Sequence, residues 1–140
     1  MSSSDKAVLK THKNINKNLC SEIQKLEDGY AESRLVTTNE MVADSKGLIH
    51  GGFVFGAADY AAMAAVNEEN VVLVACSCKF TAPVKLGDIV NLTAKVQRRD
   101  GRKNSVYVTA YVLDIKVFEG EFKTFVTDKH VLELNSDKKK

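Results

Sequence analysis

The stretch from Gly47 to Asn67 constrains this chain more than any other part of its sequence. From Phe53 to Val66 it has no proline, no cluster of β-branched residues and many alanines, which predicts a helix. The predicted helix is apolar all round, so it must be buried on most of its sides. At about 15 residues it is too short to span a bilayer, which needs roughly 20 apolar residues. We therefore expect a core helix that the rest of the chain wraps.

One acidic residue, Asp59, interrupts this apolar helix. A carboxylate inside such a helix costs several kcal/mol unless it is hydrogen-bonded or reaches a cleft. Residues kept under such conditions often carry chemistry. Asp59 is therefore the leading catalytic candidate.

Length and composition indicate one globular domain over residues 1–140. Hydrophobic residues make up 44% and charged residues 27%, and the net charge is +2, too small to indicate a nucleic-acid partner. The sequence contains no secretory or membrane-spanning run, so we expect no membrane partner. The three cysteines, an odd number, favour free thiols and a cytoplasmic location over a disulfide framework. Cys76 and Cys78 share one face of a predicted strand and indicate small core hydrophobes, and no metal site is expected.

The hydrophobic pattern predicts an α+β fold. It indicates an amphipathic helix over about 14–27, a strand over 30–37, the central helix, a strand over 71–80 buried on both faces, and three more strands in 90–97, 106–112 and 118–126. Asp100-Gly101 predicts a hairpin. Short connections favour an antiparallel sheet wrapped around the long central helix. Such a sheet leaves one side of the helix open, which predicts a partner subunit. Residues 1–14 and 136–140 are expected to be disordered.

Two glycines, Gly51 and Gly52, lie where the central helix begins. Unpaired N–H groups at a helix start, with the helix dipole behind them, suit an oxyanion hole that polarises a carbonyl. A tight turn into a helix also favours glycine, so both interpretations stay open. His50, next to them, either takes part in catalysis or shapes the loop. His12 and His130 are interpreted as surface residues.

His50-Gly51-Gly52, followed by Asp59 nine positions after the histidine, resembles the hotdog-fold acyl-CoA thioesterases of the phenylacetate-pathway type. Downstream, KFTAPVKLGD, with Phe80, Pro83 and Gly87-Asp88, resembles the same family's connection between two strands. The resemblance covers roughly residues 30–126. It implies a hotdog sheet around the central helix, homodimers that pair their sheets, and often homotetramers. It also implies thioester hydrolysis without a metal or organic cofactor.

The sequence departs from this family at Asp44, six residues before His50, where members often carry Asn. An Asn can donate a hydrogen bond to a carbonyl or hold a water, whereas an ionised Asp only accepts. Asp44 is therefore a candidate substrate-binding residue whose identity bears on the loop and on substrate choice.

The spacing along the helix indicates a site built from two copies of the chain. Asp59 lies two helical turns beyond Gly52, about 10 Å at ~1.5 Å per residue. A general base and an oxyanion hole that act on one carbonyl must converge within about 3 Å of the reacting atoms. Two antiparallel copies would bring Gly51 and Gly52 of one subunit to Asp59 of the other. The interface site that the family resemblance implies agrees.

Candidate contacts to the substrate are more open. Four cations at the predicted hairpin are candidates for the phosphates of coenzyme A: Arg98, Arg99, Arg102 and Lys103. A solvated turn is the alternative. Phe53, with Phe55, Tyr60 and Met63, lines either an acyl pocket or the core.

The sequence therefore predicts hydrolysis of an acyl-CoA to the free acid and coenzyme A, with acyl-CoA as the small-molecule partner. Asp59 acts either as general base on water or as a nucleophile that gives a mixed anhydride. The main alternative is a non-catalytic hotdog module that binds or senses an acyl-CoA. A hydratase or dehydratase on the same fold is a third possibility, but the sequence shows no matching motif.

Overall fold

The computed structural model describes the backbone of residues 7–138 and the side chains as far as residue 134. Within that range one antiparallel sheet has six strands: β1 (Glu22–Glu27), β2 (Tyr30–Val36), β3 (Val71–Phe80), β4 (Ile89–Asp100), β5 (Lys103–Val112) and β6 (Ile115–Val126). Their order is β1-β2-β4-β5-β6-β3. Three α-helices accompany them: α1 (Lys17–Cys20), α2 (Gly51–Val66) and α3 (Val131–Lys138).

Helix α2 is the centre of the fold, as predicted. It contacts all six strands, and every residue from Tyr60 to Val66 is buried. The helix starts at Gly51, two residues before the predicted start. It ends at Asn67, a left-handed residue with φ of 53° whose N–H donates to the Met63 carbonyl at 2.8 Å. Asparagine tolerates that conformation better than most residues, which explains the clean end.

The loop before α2 is held by backbone hydrogen bonds at both sides. The Ile49 N–H donates to the Val84 carbonyl at 2.8 Å, and the His50 N–H donates to the Met41 carbonyl at 2.9 Å. Residue 84 belongs to the connection between β3 and β4. The start of α2 is therefore fixed against the end of the sheet where β3 stops.

The predicted helix over residues 14–27 is wrong for most of its length. A single turn, α1, begins after Asn16, whose side chain accepts from the N–H groups of Asn18 and Leu19. Ser21 then takes a positive φ of 86° and stops the helix. The rest is strand β1, which turns through Asp28-Gly29 and pairs with β2. Pairing with a neighbouring strand has overridden a weak helical periodicity.

The prediction that β3 is buried on both faces is also wrong for this chain. β3 is the last strand of the sheet and pairs only with β6, so its other edge is open. Val74 is 62% exposed and Phe80 is 55% exposed. The apolar residues of β3 therefore lie at an edge of the sheet.

The ends that were expected to be disordered lie partly outside the described residues, namely 1–6 and 139–140. Residues 7–14 are placed beside β1 and α2, where the Ala7 N–H donates to the Leu26 carbonyl at 3.2 Å. Residues 136–138 belong to α3. The single-domain organisation of residues 1–140 stays a prediction.

Candidate active site

Asp59 projects from the middle of α2 into a cleft of about 630 Å³. The cleft is lined by Lys10–Asn14 before α1, by Glu69–Leu73 at the start of β3 and by His130 and Val131. The carboxylate oxygen Oδ1 is fully shielded, and no atom of the described residues hydrogen-bonds it. A shielded carboxylate without a donor is energetically costly, which makes this atom a candidate for contact with a ligand or a partner subunit.

Burial raises the pKa of the Asp59 carboxyl because the site disfavours its charged form. Two thiols lie close enough to be affected by the Asp59 charge. The pKa of Cys20 is raised by burial and then by Asp59, and that of Cys76 is raised to about 12 by burial, Cys78 and Asp59. Thiols with raised pKa values are poor nucleophiles at neutral pH. Among these neighbours, Asp59 is therefore the group suited to take a proton.

The start of α2 forms a second candidate centre. Within the described residues, the N–H groups of Gly51 and Gly52 donate to no backbone carbonyl of the preceding loop, whereas the Phe53 N–H donates to the His50 carbonyl at 3.1 Å. A Cβ atom built on Gly52 would lie 2.9 Å from Nε2 of His50, and one built on Gly51 would lie 3.3 Å from the Phe80 ring. Glycine is therefore required if the imidazole and the ring are to approach the helix start so closely.

These two centres do not meet within one chain. The residues that line the Asp59 cleft in the described part of the chain include none of His50, Gly51 and Gly52. This agrees with the separation of about 10 Å along the helix that the sequence predicts. Within one chain, Asp59 and the start of α2 are therefore two separate candidate centres.

Asp44 and Phe53 both lie near the start of α2. Oδ1 of Asp44 accepts from the N–H groups of Lys46 at 2.9 Å and Leu48 at 3.1 Å. An Asn oxygen accepts in the same way, so the loop does not depend on the negative charge. The Phe53 ring packs edge-on to His50, with ring centroids 6.1 Å apart, and its other side contacts the core.

The four hairpin cations divide into two pairs. Arg99 binds Asp28 at 3.0 Å, and Arg102 binds Asp128, so both are already engaged with carboxylates. Arg98 and Lys103 instead line an outer cleft of about 420 Å³, together with Lys123. Among the described residues neither Arg98 nor Lys103 makes a salt bridge. These two are the better placed to bind an anion.

The sequence does not mark His12 as a candidate site residue. It is exposed, as expected of a surface residue, yet it lines the Asp59 cleft, and its ring lies 6.3 Å from that of Tyr60. Burial of part of the ring lowers the pKa of His12. No local sequence signal marks this, because His12 and Asp59 are 47 positions apart and meet only through the fold.

Within residues 7–134, whose side chains the structure describes, no cluster of three or more His, Cys, Asp or Glu side chains is arranged to hold a metal ion. None of the helices in residues 7–138 combines the length and apolar character of a bilayer span.

Comparison with protein families matches residues 46–118 to the Thioesterase superfamily. Among curated proteins, the chain is 49% identical over 116 residues to a methylthioribose-1-phosphate isomerase of Aquifex aeolicus, covering 83% of this chain and 25% of that protein. It is 30% identical over 100 residues to the transcription factor FapR of a Thermoanaerobacter species, covering 71% of this chain and 50% of FapR. The chain therefore spans only a quarter to a half of the curated relatives it matches.

Two solved structures illustrate the fold. An uncharacterized protein from Pyrococcus horikoshii is 46% identical, with a TM-score of 0.89, and the match covers 91% of this chain and 98% of that one. The PaaI protein from the phenylacetic acid degradation operon of Escherichia coli is 24% identical, with a TM-score of 0.74 and coverage of 81% and 84%. At that identity the likeness to PaaI concerns the fold alone.

Proposed function

This chain belongs to the thioesterase superfamily and has the hotdog fold that its sequence resembles, and from this premise we propose that it hydrolyses an acyl-CoA thioester to the free acid and coenzyme A. The observation that carries the proposal is Asp59. Its Oδ1 is shielded and has no donor among the described residues, and it lies at a cleft of about 630 Å³. A carboxylate kept in that state is suited to take a proton from water or to attack a carbonyl.

In the general-base form of the reaction, Asp59 removes a proton from water as the water oxygen attacks the thioester carbon. The carbonyl oxygen becomes an oxyanion, which the N–H groups of Gly51 and Gly52 stabilise. Collapse of the tetrahedral intermediate breaks the C–S bond, and the coenzyme A thiolate leaves. In the nucleophilic form, Asp59 attacks the carbon itself, the thiolate leaves, and water hydrolyses the mixed anhydride. His50 supports the glycine loop in both forms.

The proposed site needs two subunits. The open edge of β3 supports a dimer in which two β3 strands pair, because exposed apolar strand edges bind other strands. Such a dimer would bring the start of α2 in one copy toward Asp59 in its partner. Pairing of two such dimers gives the tetramer that the family resemblance implies.

Arg98 and Lys103 are proposed to bind the phosphates of coenzyme A. They line the outer cleft and, among the described residues, form no ion pair. Arg99 and Arg102 would first have to leave Asp28 and Asp128, although exposed pairs of this kind contribute little stability and exchange readily. Asp44 and Phe53 border the glycine loop, where the thioester carbonyl would lie.

The test compares the parent protein with Asp59→Asn on a panel of short, long and aromatic acyl-CoAs. We expect kcat/KM on the best substrate to fall about 10²–10⁴-fold, the usual loss for a positioned base. Asp114→Asn is the matched control, because Asp114 is an exposed carboxylate in the turn between β5 and β6. Free coenzyme A should be measured by chromatography, since Cys20, Cys76 and Cys78 are free thiols that react with thiol reagents.

The second candidate function is a non-catalytic acyl-CoA-binding module, which the similarity to the transcription factor FapR favours. The same panel separates the two functions. If the parent protein binds an acyl-CoA by titration calorimetry and releases no coenzyme A, the binding module replaces the hydrolase. If Asp59→Asn hydrolyses at nearly the parental rate, the proposed mechanism is wrong.

A further inference from the structure

Residues 7–14, which we call the N-terminal strap, are anchored to the end of α2 by one side chain. Oδ1 of Asn67 accepts from the Lys10 N–H at 2.7 Å, and Nδ2 of Asn67 donates to the Val8 carbonyl at 2.9 Å. Asn67 is also the left-handed residue that ends α2. The central helix and the strap are therefore joined at a single amide group.

The anchored strap places His12 at the Asp59 cleft. Thr11 is buried, at 4% exposure, and His12 takes a positive φ of 54°, which turns its ring toward Tyr60. Tyr60 is the neighbour of Asp59 in α2. A positive φ is uncommon for histidine and persists only where the surrounding structure holds it. The position of the His12 ring is therefore set by its surroundings.

The hydrogen bonding of His12 leaves one ring nitrogen available. Nδ1 lies 2.7 Å from Oγ1 of Thr11. Within residues 7–134, whose side chains the structure describes, no group hydrogen-bonds Nε2. When the Thr11 hydroxyl donates to Nδ1, the neutral ring carries its proton on Nε2 and is a donor.

We propose that His12 is a substrate-binding residue, which donates a hydrogen bond from Nε2 to an oxygen of the thioester ligand bound beside Asp59. The proposal rests on the proposed function for the identity of the ligand. The strap then forms one wall of the binding site, and Asn67 sets where that wall lies. His12 takes no part in bond breaking, so its contribution appears in substrate binding and in discrimination between substrates.

The acceptor oxygen has two possible sources, a hydroxyl substituent of the acyl group and an oxygen common to acyl-CoAs, in the thioester carbonyl or the pantetheine arm. Butyryl-CoA and 3-hydroxybutyryl-CoA distinguish them, because they differ by one hydroxyl in the acyl group and share the same arm. A site that hydrogen-bonds a substrate hydroxyl discriminates against the analogue that lacks it. A contact to the arm affects both substrates equally.

The first experiment is His12→Asn, which removes the imidazole and keeps a residue that tolerates positive φ. We expect kcat/KM to fall about 5- to 10-fold, as for one lost hydrogen bond, mainly through KM. A loss confined to 3-hydroxybutyryl-CoA assigns the hydroxyl of the acyl group, and an equal loss on both substrates assigns an oxygen that both share, in the thioester carbonyl or the pantetheine arm. Unchanged kcat/KM on both would overturn the proposal.

The second experiment is Asn67→Gly, which keeps the left-handed helix end and removes both strap anchors. We expect the same loss as for His12→Asn, and no further loss when the two are combined, because both act through the position of one ring. Leu113→Gly is the matched control, since Leu113 also has a positive φ, of 55°, but lies in the turn between β5 and β6. Additive losses in the double variant would contradict the shared role.

A binding measurement separates failure of this inference from failure of the proposed function. Titration calorimetry with butyryl-CoA and 3-hydroxybutyryl-CoA is performed on the Asp59→Asn variant, with and without the second substitution His12→Asn. If the parent protein hydrolyses no thioester, the proposed hydrolysis fails. Weaker binding caused by His12→Asn would still support the contact between His12 and the ligand. Equal binding by the two variants overturns it.

Discussion

At the scale of single residues, Asp59 is the feature with the clearest cost. Its Oδ1 is shielded and has no hydrogen-bond donor among the described residues, and burial raises its pKa. The charged carboxylate therefore destabilises the folded chain at neutral pH. A residue that lowers stability and is not replaced by a better-suited amide is consistent with a role in the reaction.

The first residue-scale prediction concerns the pH dependence of stability. Because the pKa of Asp59 is higher in the folded than in the unfolded chain, the folded state binds more protons between those two values. Stability from this group therefore falls as pH rises through the folded pKa. We expect Asp59→Asn to have a higher Tm than the parent at pH 7, and the difference to vanish below the unfolded pKa. Thermal melts at several pH values measure this, and a lower Tm at pH 7 would indicate a structural carboxylate.

The second residue-scale prediction concerns Gly52→Ala. The new Cβ would lie 2.9 Å from Nε2 of His50 and would displace that imidazole. We expect kcat to fall at least about 10-fold because the loop over the helix start is moved. Gly56→Ala is the control, since its Cβ would meet nothing within 4 Å. It should keep activity and gain up to about 1 kcal/mol of helix stability. Equal kcat values for both variants would remove His50 from the site.

At the scale of elements, the sequence predicts those helices and strands whose own residues follow one clear pattern. Composition predicts helix α2, and alternation within its own segment predicts strand β4. Strand β1 is not predicted, because its apolar residues also fit a helical spacing and its pairing depends on β2. The edge position of β3 follows from its pairing with β6, which no local pattern records.

The element-scale prediction concerns Gly120→Ala in β6. A Cβ at this position would lie 2.7 Å from Cβ of Cys78 and 3.1 Å from the Ser77 carbonyl oxygen, both in β3. Because part of this clash is with backbone, the two strands must separate. We expect a loss of about 1–3 kcal/mol in the free energy of unfolding, measured by urea denaturation. Full retention of stability would show that β3 moves easily at this edge.

At the scale of the whole molecule, the site is only half predictable from the sequence. The motif identifies Asp59 and the glycines, and the helix spacing indicates that one chain cannot join them. The sequence alone does not distinguish Arg98 and Lys103 from the two arginines that form ion pairs. The carboxylates that bind those arginines, Asp28 and Asp128, belong to other segments of the chain. The position of His12 at the Asp59 cleft depends on the folding of the N-terminal strap. Contacts made across long stretches of chain leave no periodic trace.

The whole-molecule prediction concerns assembly. We expect sedimentation to show a dimer or tetramer at micromolar concentration, and Val74→Lys to release monomers with reduced activity. Val74 is 62% exposed on the open edge of β3, where a lysine blocks strand pairing. Leu113→Lys is the control, because Leu113 is 89% exposed but lies away from that edge. A folded and active monomer of the parent protein would contradict the two-subunit site.

The strand order also governs what happens while the chain is being synthesised. β3 is complete at Phe80, but its only neighbour within the chain, β6, begins at Ile115. A nascent chain that has left the ribosome as far as β5 therefore contains the apolar helix α2 and strand β3, which cannot yet pair with β6. Partly covered apolar segments of this kind are the ones that aggregate or recruit chaperones. The protein is thus exposed to aggregation until β6 has left the ribosome and can pair with β3.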